Sequence, residues 1–250
     1  MKIYGAETTT DEVLEGVSLQ GRHFMVTGAS SGLGEETVRA LSSAGAKVTM
    51  VARNSDKLDA AADRIRTSVP TTDLQTGLVD LADLSSIRSY AEEYLQEDAP
   101  IDVLINNAGV MACPFMTTKD GFEMQFGTNH LGHFLLTNLL MPAIRSGQNP
   151  RIINLSSAGH THSDVSLDDP NFETSEYNAW ESYGRSKSAN IHFTREIVRR
   201  YGDVIRSFAV HPGVILTELG RHLTPELMEE MVERVKARST SSAEAKETGG

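Results

Sequence analysis

Apolar runs of five or six residues recur along the chain, each closed by a turn and followed by a stretch with helical spacing. Arg22–Thr27, Lys47–Val51, Leu74–Val79, Ile101–Ile105, Arg151–Leu155 and Ile205–Val210 have the length and composition of strands. Between them, Leu33–Ala44, Asp56–Arg66, Leu84–Gln96, Phe122–Met141 and Ser182–Tyr201 read as helices. Regular alternation of this kind predicts an α/β fold, a doubly wound parallel sheet with helices on both faces in three layers. Residues 1–20 read as a polar leader lying loosely on the surface. Residues 21–238 read as a single domain, with a last helix over Pro225–Ala237, and 239–250 as a disordered polar tail.

Composition narrows the class. Of 250 residues, 39% are hydrophobic, enough for one large domain with its own core. The formal net charge of −11 speaks against nucleic acid or an anionic membrane as partner, because both attract basic faces. The single cysteine, Cys113, excludes an intrachain disulfide and fits a reducing compartment. No stretch approaches the roughly 20 apolar residues of a membrane helix, and Met1–Gly16 is too polar for a signal peptide. A soluble, cytoplasmic chain is the expectation.

The candidate chemistry sits at the strand ends. Thr27-Gly28-Ala29-Ser30-Ser31-Gly32-Leu33-Gly34 lies between the first strand and its helix. Glycines there let backbone approach a ligand, and the helix start offers unpaired N–H groups to a phosphate, so the segment reads as a dinucleotide site. The second strand ends in Ala52-Arg53-Asn54, where an acidic residue would grip ribose hydroxyls and select NAD. The planar fork of Arg53 suits a 2′-phosphate instead, so NADP(H) is favoured over NAD(H). Asp80 has two readings, an acceptor for the adenine amino group or a cap for the following helix. Asn106-Asn107-Ala108-Gly109 closes the fourth strand, at the edge where an open α/β sheet places its ligand crevice, and the asparagines can tie neighbouring strands. Asn129, inside the long helix, either holds a water or caps a local backbone group. Ser156-Ser157 follows the fifth strand, and His211-Pro212-Gly213-Val214-Ile215-Leu216-Thr217 the sixth. In Tyr183-Gly184-Arg185-Ser186-Lys187 a phenol and an ammonium lie one helical turn apart. A neighbouring ammonium favours the phenolate and pulls its pKa down from ~10 toward the working range.

In this order, over roughly residues 20–220, the motifs resemble the short-chain dehydrogenase/reductase family. Asn106–Pro114, Asp120–Thr137 and Ser182–Thr194 resemble its retinol-dehydrogenase and WW-domain-oxidoreductase branch. The resemblance implies a Rossmann-type fold and a catalytic tetrad of Asn129, Ser157, Tyr183 and Lys187. Tyr183 would exchange a proton with the substrate oxygen and Ser157 would polarise that oxygen. Lys187 would bind the nicotinamide ribose and lower the Tyr183 pKa, while Asn129 would anchor a water leading to Lys187. The same resemblance spreads the cofactor site over Gly28, the Ser30–Gly34 turn, Arg53, Asn54, Asp80, Leu81, Asn107, Ala108, Gly109, Tyr183, Lys187, Pro212, Gly213, Val214 and Thr217. It implies an apolar substrate bearing an alcohol or carbonyl, and a homodimer or homotetramer built on the two long helices.

Two departures stand out. Tyr183 follows Ser157 by 26 residues, longer than in most members, although the retinol-dehydrogenase branch shares the insertion. Nothing matches the family's further helix and seventh strand, so the sheet is expected to lack its usual last strand, through a shortened chain or with a partner at its edge. His160-Thr161-His162 lacks a third metal ligand, and Cys113 reads as a packed side chain. Met228 and Met231 fit either a mobile helix over the substrate cleft or an ordinary apolar face. Two rival functions are a cofactor-binding sensor or scaffold without turnover and an NAD-dependent epimerase or dehydratase. The complete tetrad weighs against the first, and the TGxxxGxG spacing against the second.

Overall fold

Strands β1 (His23–Thr27), β2 (Lys47–Ala52), β3 (Asp73–Leu78), β4 (Val103–Asn106), β5 (Arg151–Leu155) and β6 (Arg206–Val210) form one parallel sheet in the order β3-β2-β1-β4-β5-β6. The computed structural model describes Tyr4, Gly5, residues 7–213, Ile215 and residues 217–224. The expected helix at Pro225–Ala237, with Met228 and Met231, and the polar tail lie outside these residues.

Neighbouring residues of a strand face opposite sides of the sheet, and both sides are apolar. Met25, Leu104 and Ile152 pack with Ile87 of α4 (Leu84–Gln96), Leu136 of α6 (His133–Leu139) and Ile197 of α8 (Ala179–Tyr201). Val26, Val48 and Val103 pack on the other side with Val38 of α2 (Gly32–Ser43) and Leu58 and Ile65 of α3 (Ser55–Ser68). The leader contributes the short α1 (Thr10–Leu14), closed by a Thr9/Glu12 capping box and tied to α2 by Arg39 on Asp11 at 2.9 Å.

Two elements, α4 and β5, fall on their expected boundaries. Helix α8 starts three residues earlier than the apolar pattern indicates, because Asn178 Oδ1 accepts from the Trp180 and Glu181 amides. The expected helix Phe122–Met141 is present from Met124 to Leu139 but is not a uniform α-helix. It runs as α5 (Met124–Phe126), a π-helical turn over Gly127–Gly132 and α6, and after Leu140 comes a separate α7 (Met141–Arg145) with Pro142 in its first turn. The widened turn packs closely on the chain after β3: a Cβ on Gly132 would lie 2.5 Å from the Leu81 carbonyl oxygen.

A buried polar ladder ties the sheet to these helices. Asn106 Nδ2 donates to Asn154 Oδ1 at 2.8 Å and to Thr137 Oγ1 at 3.0 Å, and Asn154 Nδ2 donates to Thr194 Oγ1 at 2.9 Å. Breaking it leaves buried donors without partners. Asn154→Ala should therefore destabilise the fold by about 1–3 kcal/mol, read as a lower urea midpoint at unchanged slope.

Candidate active site

At the carboxyl ends of the strands a cavity of about 1190 Å³ opens where the chain order runs outward from β1 to β2 on one side and to β4 on the other. Its floor is made of two backbone turns in contact. Gly28 has φ 66°, and a Cβ there would lie 2.7 Å from Ala108 Cα. A Cβ on Gly34 would lie 2.2 Å from the Gly28 carbonyl oxygen and 2.7 Å from Asn107 Nδ2. Only glycine fits at these two positions. Ser31 precedes α2 without capping it, which leaves the first-turn N–H groups open to an anion, and Ser30, Ser31, Gly32, Leu33 and Gly34 all line the cavity.

Around this end the predicted residues divide. Arg53 is exposed on the cavity wall and makes no hydrogen bond or ion pair among the described residues. Asn54 also lines the wall, but its Oδ1 is committed to capping α3 through the Lys57 amide at 2.8 Å. Asp80 accepts from the Ala82 amide at 2.9 Å and lines the cavity beside Leu81. It does not cap the next helix; Asp83 does, through the Ser85 and Ser86 amides. Gly109, Pro212 and Gly213 line the same space, and Val214 lies outside the described residues. Thr217 caps a 3₁₀ turn, Glu218–Gly220, and packs on Gly32, where a Cβ would lie 3.2 Å from Thr217 Cβ. Lys57 reaches Glu218 at 3.2 Å and so links α3 to this turn.

At the other end stand Tyr183 and Lys187, both buried on α8. Lys187 Nζ donates to the Leu155 carbonyl at 3.0 Å and sits 5.4 Å from the Tyr183 ring centroid. Burial alone lowers Lys187 to about 8. Burial also pushes the Tyr183 phenol up, opposed by a weaker downward pull from its hydrogen bond with Ser157. The net direction is therefore upward, set by desolvation against the Ser157 hydrogen bond, where the sequence led to the expectation of a phenol lowered by Lys187. Of the two serines, Ser156 Oγ is spent on the Lys187 carbonyl at 3.0 Å, whereas Ser157 reaches the phenol and accepts from the Gly159 amide at 3.1 Å.

Asn129 does something neither sequence reading anticipates. Its Oδ1 accepts from the Val110 amide at 2.8 Å, and its Nδ2 donates to the Val110 carbonyl at 2.9 Å and to Ser186 Oγ at 3.0 Å. The side chain therefore pins the loop after β4 to α8. Met111, Trp180, Leu219 and Leu223 pack around Tyr183 as an apolar wall. These four side chains come from the loop after β4, the first turn of α8 and the segment after Thr217, so no local sequence pattern joins them.

The chain belongs to the short-chain dehydrogenase family, whose family model matches residues 22–228. Within it the chain falls in the retinol-dehydrogenase-like branch. It is 46% identical over 206 residues to human retinol dehydrogenase 13 and 44% identical over 219 residues to human retinol dehydrogenase 14, with 82% of this chain covered each time. It spans 62% and 65% of those relatives, less than two thirds of their length. A crystal structure of an uncharacterised protein from Mycobacterium paratuberculosis is similar at TM-score 0.72 and 41% identity, covering 82% of this chain and 73% of that one. A Pseudomonas aeruginosa RhlG/NADP active-site complex is similar at TM-score 0.67 and 26% identity, covering 85% and 81%. Among the described residues no helix is long and apolar enough to cross a membrane.

Two histidines behind the site set a pH dependence. Burial lowers both His130 and His133 to about 4, with the neighbouring Lys187 adding to the effect at His133. Between about 6.5 and about 4 the unfolded chain takes up protons that the native state refuses, so stability falls as pH falls through that window. The expected loss is roughly 1.4 kcal/mol per histidine per pH unit, measurable as denaturation midpoints at pH 7 and pH 5.

Proposed function

We propose that the protein is an NADP(H)-dependent oxidoreductase that interconverts an alcohol and a carbonyl on an apolar small molecule, with Tyr183 as general acid and base. The observation that carries this reading is the convergence of Tyr183, Ser157 and Lys187 at one end of a cavity whose other end is the glycine-rich turn. When bound, the nicotinamide supplies or accepts the hydride. The Gly28–Gly34 backbone and the α2 N-terminus fit a pyrophosphate, and Arg53, exposed on the cavity wall, fits a 2′-phosphate. An ammonium has three donors and Lys187 spends one on Leu155, which leaves two for ribose hydroxyls.

In the reducing direction the Tyr183 O–H gives its proton to the substrate oxygen as that oxygen gains negative charge, while the Ser157 hydroxyl donates to the same oxygen. A phenol raised by burial is held protonated, which suits it to be the donor. In the oxidising direction the step runs in reverse, and the Tyr183 phenolate takes the proton from the alcohol oxygen to become the phenol again. The apolar wall of Met111, Trp180, Leu219 and Leu223 suits an apolar substrate body and keeps water from the reacting oxygen. Kinship with retinol dehydrogenases supports an alcohol or aldehyde group on such a body, and the NADP-bound relative supports the cofactor choice.

Tyr183→Phe should keep nucleotide affinity and lose turnover by about 10²-fold or more, read in an NADPH-coupled assay. Undiminished turnover would remove Tyr183 from the chemistry, and nucleotide binding without turnover on any apolar carbonyl by the unaltered chain would favour the sensor reading. Arg53→Ala should weaken NADPH binding by roughly 10- to 100-fold and leave NADH unchanged, read by fluorescence titration.

A further inference from the structure

We propose that His133 is a positioning residue that fixes the cofactor floor to the π-helical turn carrying Asn129. The inference rests on the cofactor reading above. His133 opens α6 directly after that turn and is only 1% exposed. It is not on the cavity wall, whereas Thr27, Asn107 and Ala108 are.

The hydrogen-bond partners decide the arrangement. His133 Nδ1 lies 2.9 Å from the Asn129 carbonyl oxygen, which can only accept, so Nδ1 carries the proton. In the neutral ring Nε2 is then a bare acceptor, and Thr27 Oγ1, at 2.8 Å, donates to it. That spends the one proton of the hydroxyl and aims its two lone pairs at the Asn107 amide at 2.9 Å and the Ala108 amide at 3.0 Å. Every position on the Thr27 hydroxyl is filled. One connected line therefore runs from the Asn129 carbonyl through the imidazole and Thr27 to the two amides lying against Gly28.

The competing arrangement, Thr27 donating to the Ile105 carbonyl at 3.4 Å, requires a second proton on the ring. Lys187 and His130 are the charged and titratable groups that face it, and both oppose that proton. An unpaired imidazole buried there would be expensive, and an apolar side chain in its place would leave the Thr27 hydroxyl without this acceptor. Imidazole at this point places one donor and one acceptor on opposite sides of a single ring. Removing it frees the Thr27 hydroxyl to turn toward Ile105, which swings its lone pairs off the Asn107 and Ala108 amides.

The test titrates the whole chain with NADPH and records a thermal melt for each variant. His133→Leu and Thr27→Val should each weaken NADPH by about tenfold or more, and the double variant should be no weaker than the worse single one. His133→Gln, whose amide offers one donor and one acceptor, should recover most of the affinity. Lowered melting with NADPH affinity intact in Thr27→Val and His133→Gln, and in His133→Leu where it folds, would reduce the residue to ordinary packing and overturn the inference. Additive losses in the double variant would overturn it as well. Should the unaltered chain bind neither NADPH nor NADH, the cofactor reading falls and takes this inference with it. Binding by the unaltered chain with unaltered affinities in the variants defeats the inference alone.

Discussion

The contact between Gly28 and Ala108 is the constraint on which the rest of the site depends. β1 pairs with β2 on one side and with β4 on the other, so the chain leaves β1 and β4 at the same edge. The two exits can touch because Gly28 has no Cβ, and the touch brings Asn107 Nδ2 within 2.8 Å of the Thr27 carbonyl. Gly34 then closes over Gly28, which fixes where α2 begins and where its unpaired amides stand. The loop beyond Ala108 leaves in a set direction, and Asn129 holds Val110 on that course toward Tyr183. A sheet register, a missing methyl group and two side-chain amides thus determine the distance between the nucleotide end and the chemical end.

The two ends are solvated differently. Arg53, Lys57 and Glu218 stand in the open at the nucleotide mouth, where charge is cheap to keep and easily shared with a phosphate. Tyr183, Lys187, His130 and His133 are sunk into the fold, and burial moves each toward its neutral form.

Much of this was legible in the sequence, for identifiable reasons. β5 and α4 could be bounded because their apolar positions stop at turns, although the cap of α4 is Asp83 and not the Asp80 that the sequence offered. The glycine-rich turn and the Tyr183–Lys187 spacing are local patterns, and they fell on the cavity as expected. The phenol's environment was not legible, since spacing reports a neighbouring charge and says nothing of burial. Thr27 and His133 escaped for a similar reason: 106 residues separate them, and only the fold makes them partners. The π turn at Gly127–Gly132 was hidden because the apolar positions keep a helical period on either side of it.

The widened turn determines which faces the helix presents on its two sides. A π-helical turn holds one residue more than the α-helix around it, so it acts as a phase shift in the sequence of faces. Upstream of it, Gln125 is in phase with the loop over the cavity, where its Oε1 takes the Ala112 amide at 2.9 Å. Downstream, His133 and Leu136 are in phase with the sheet and core. Each residue of an α-helix turns the face by about 100°. Were all the residues from Gly127 to Gly132 kept but wound as a regular α-helix, every later side chain would be rotated by about that angle relative to Gln125, so a gain in local regularity would cost both the cofactor floor and the core.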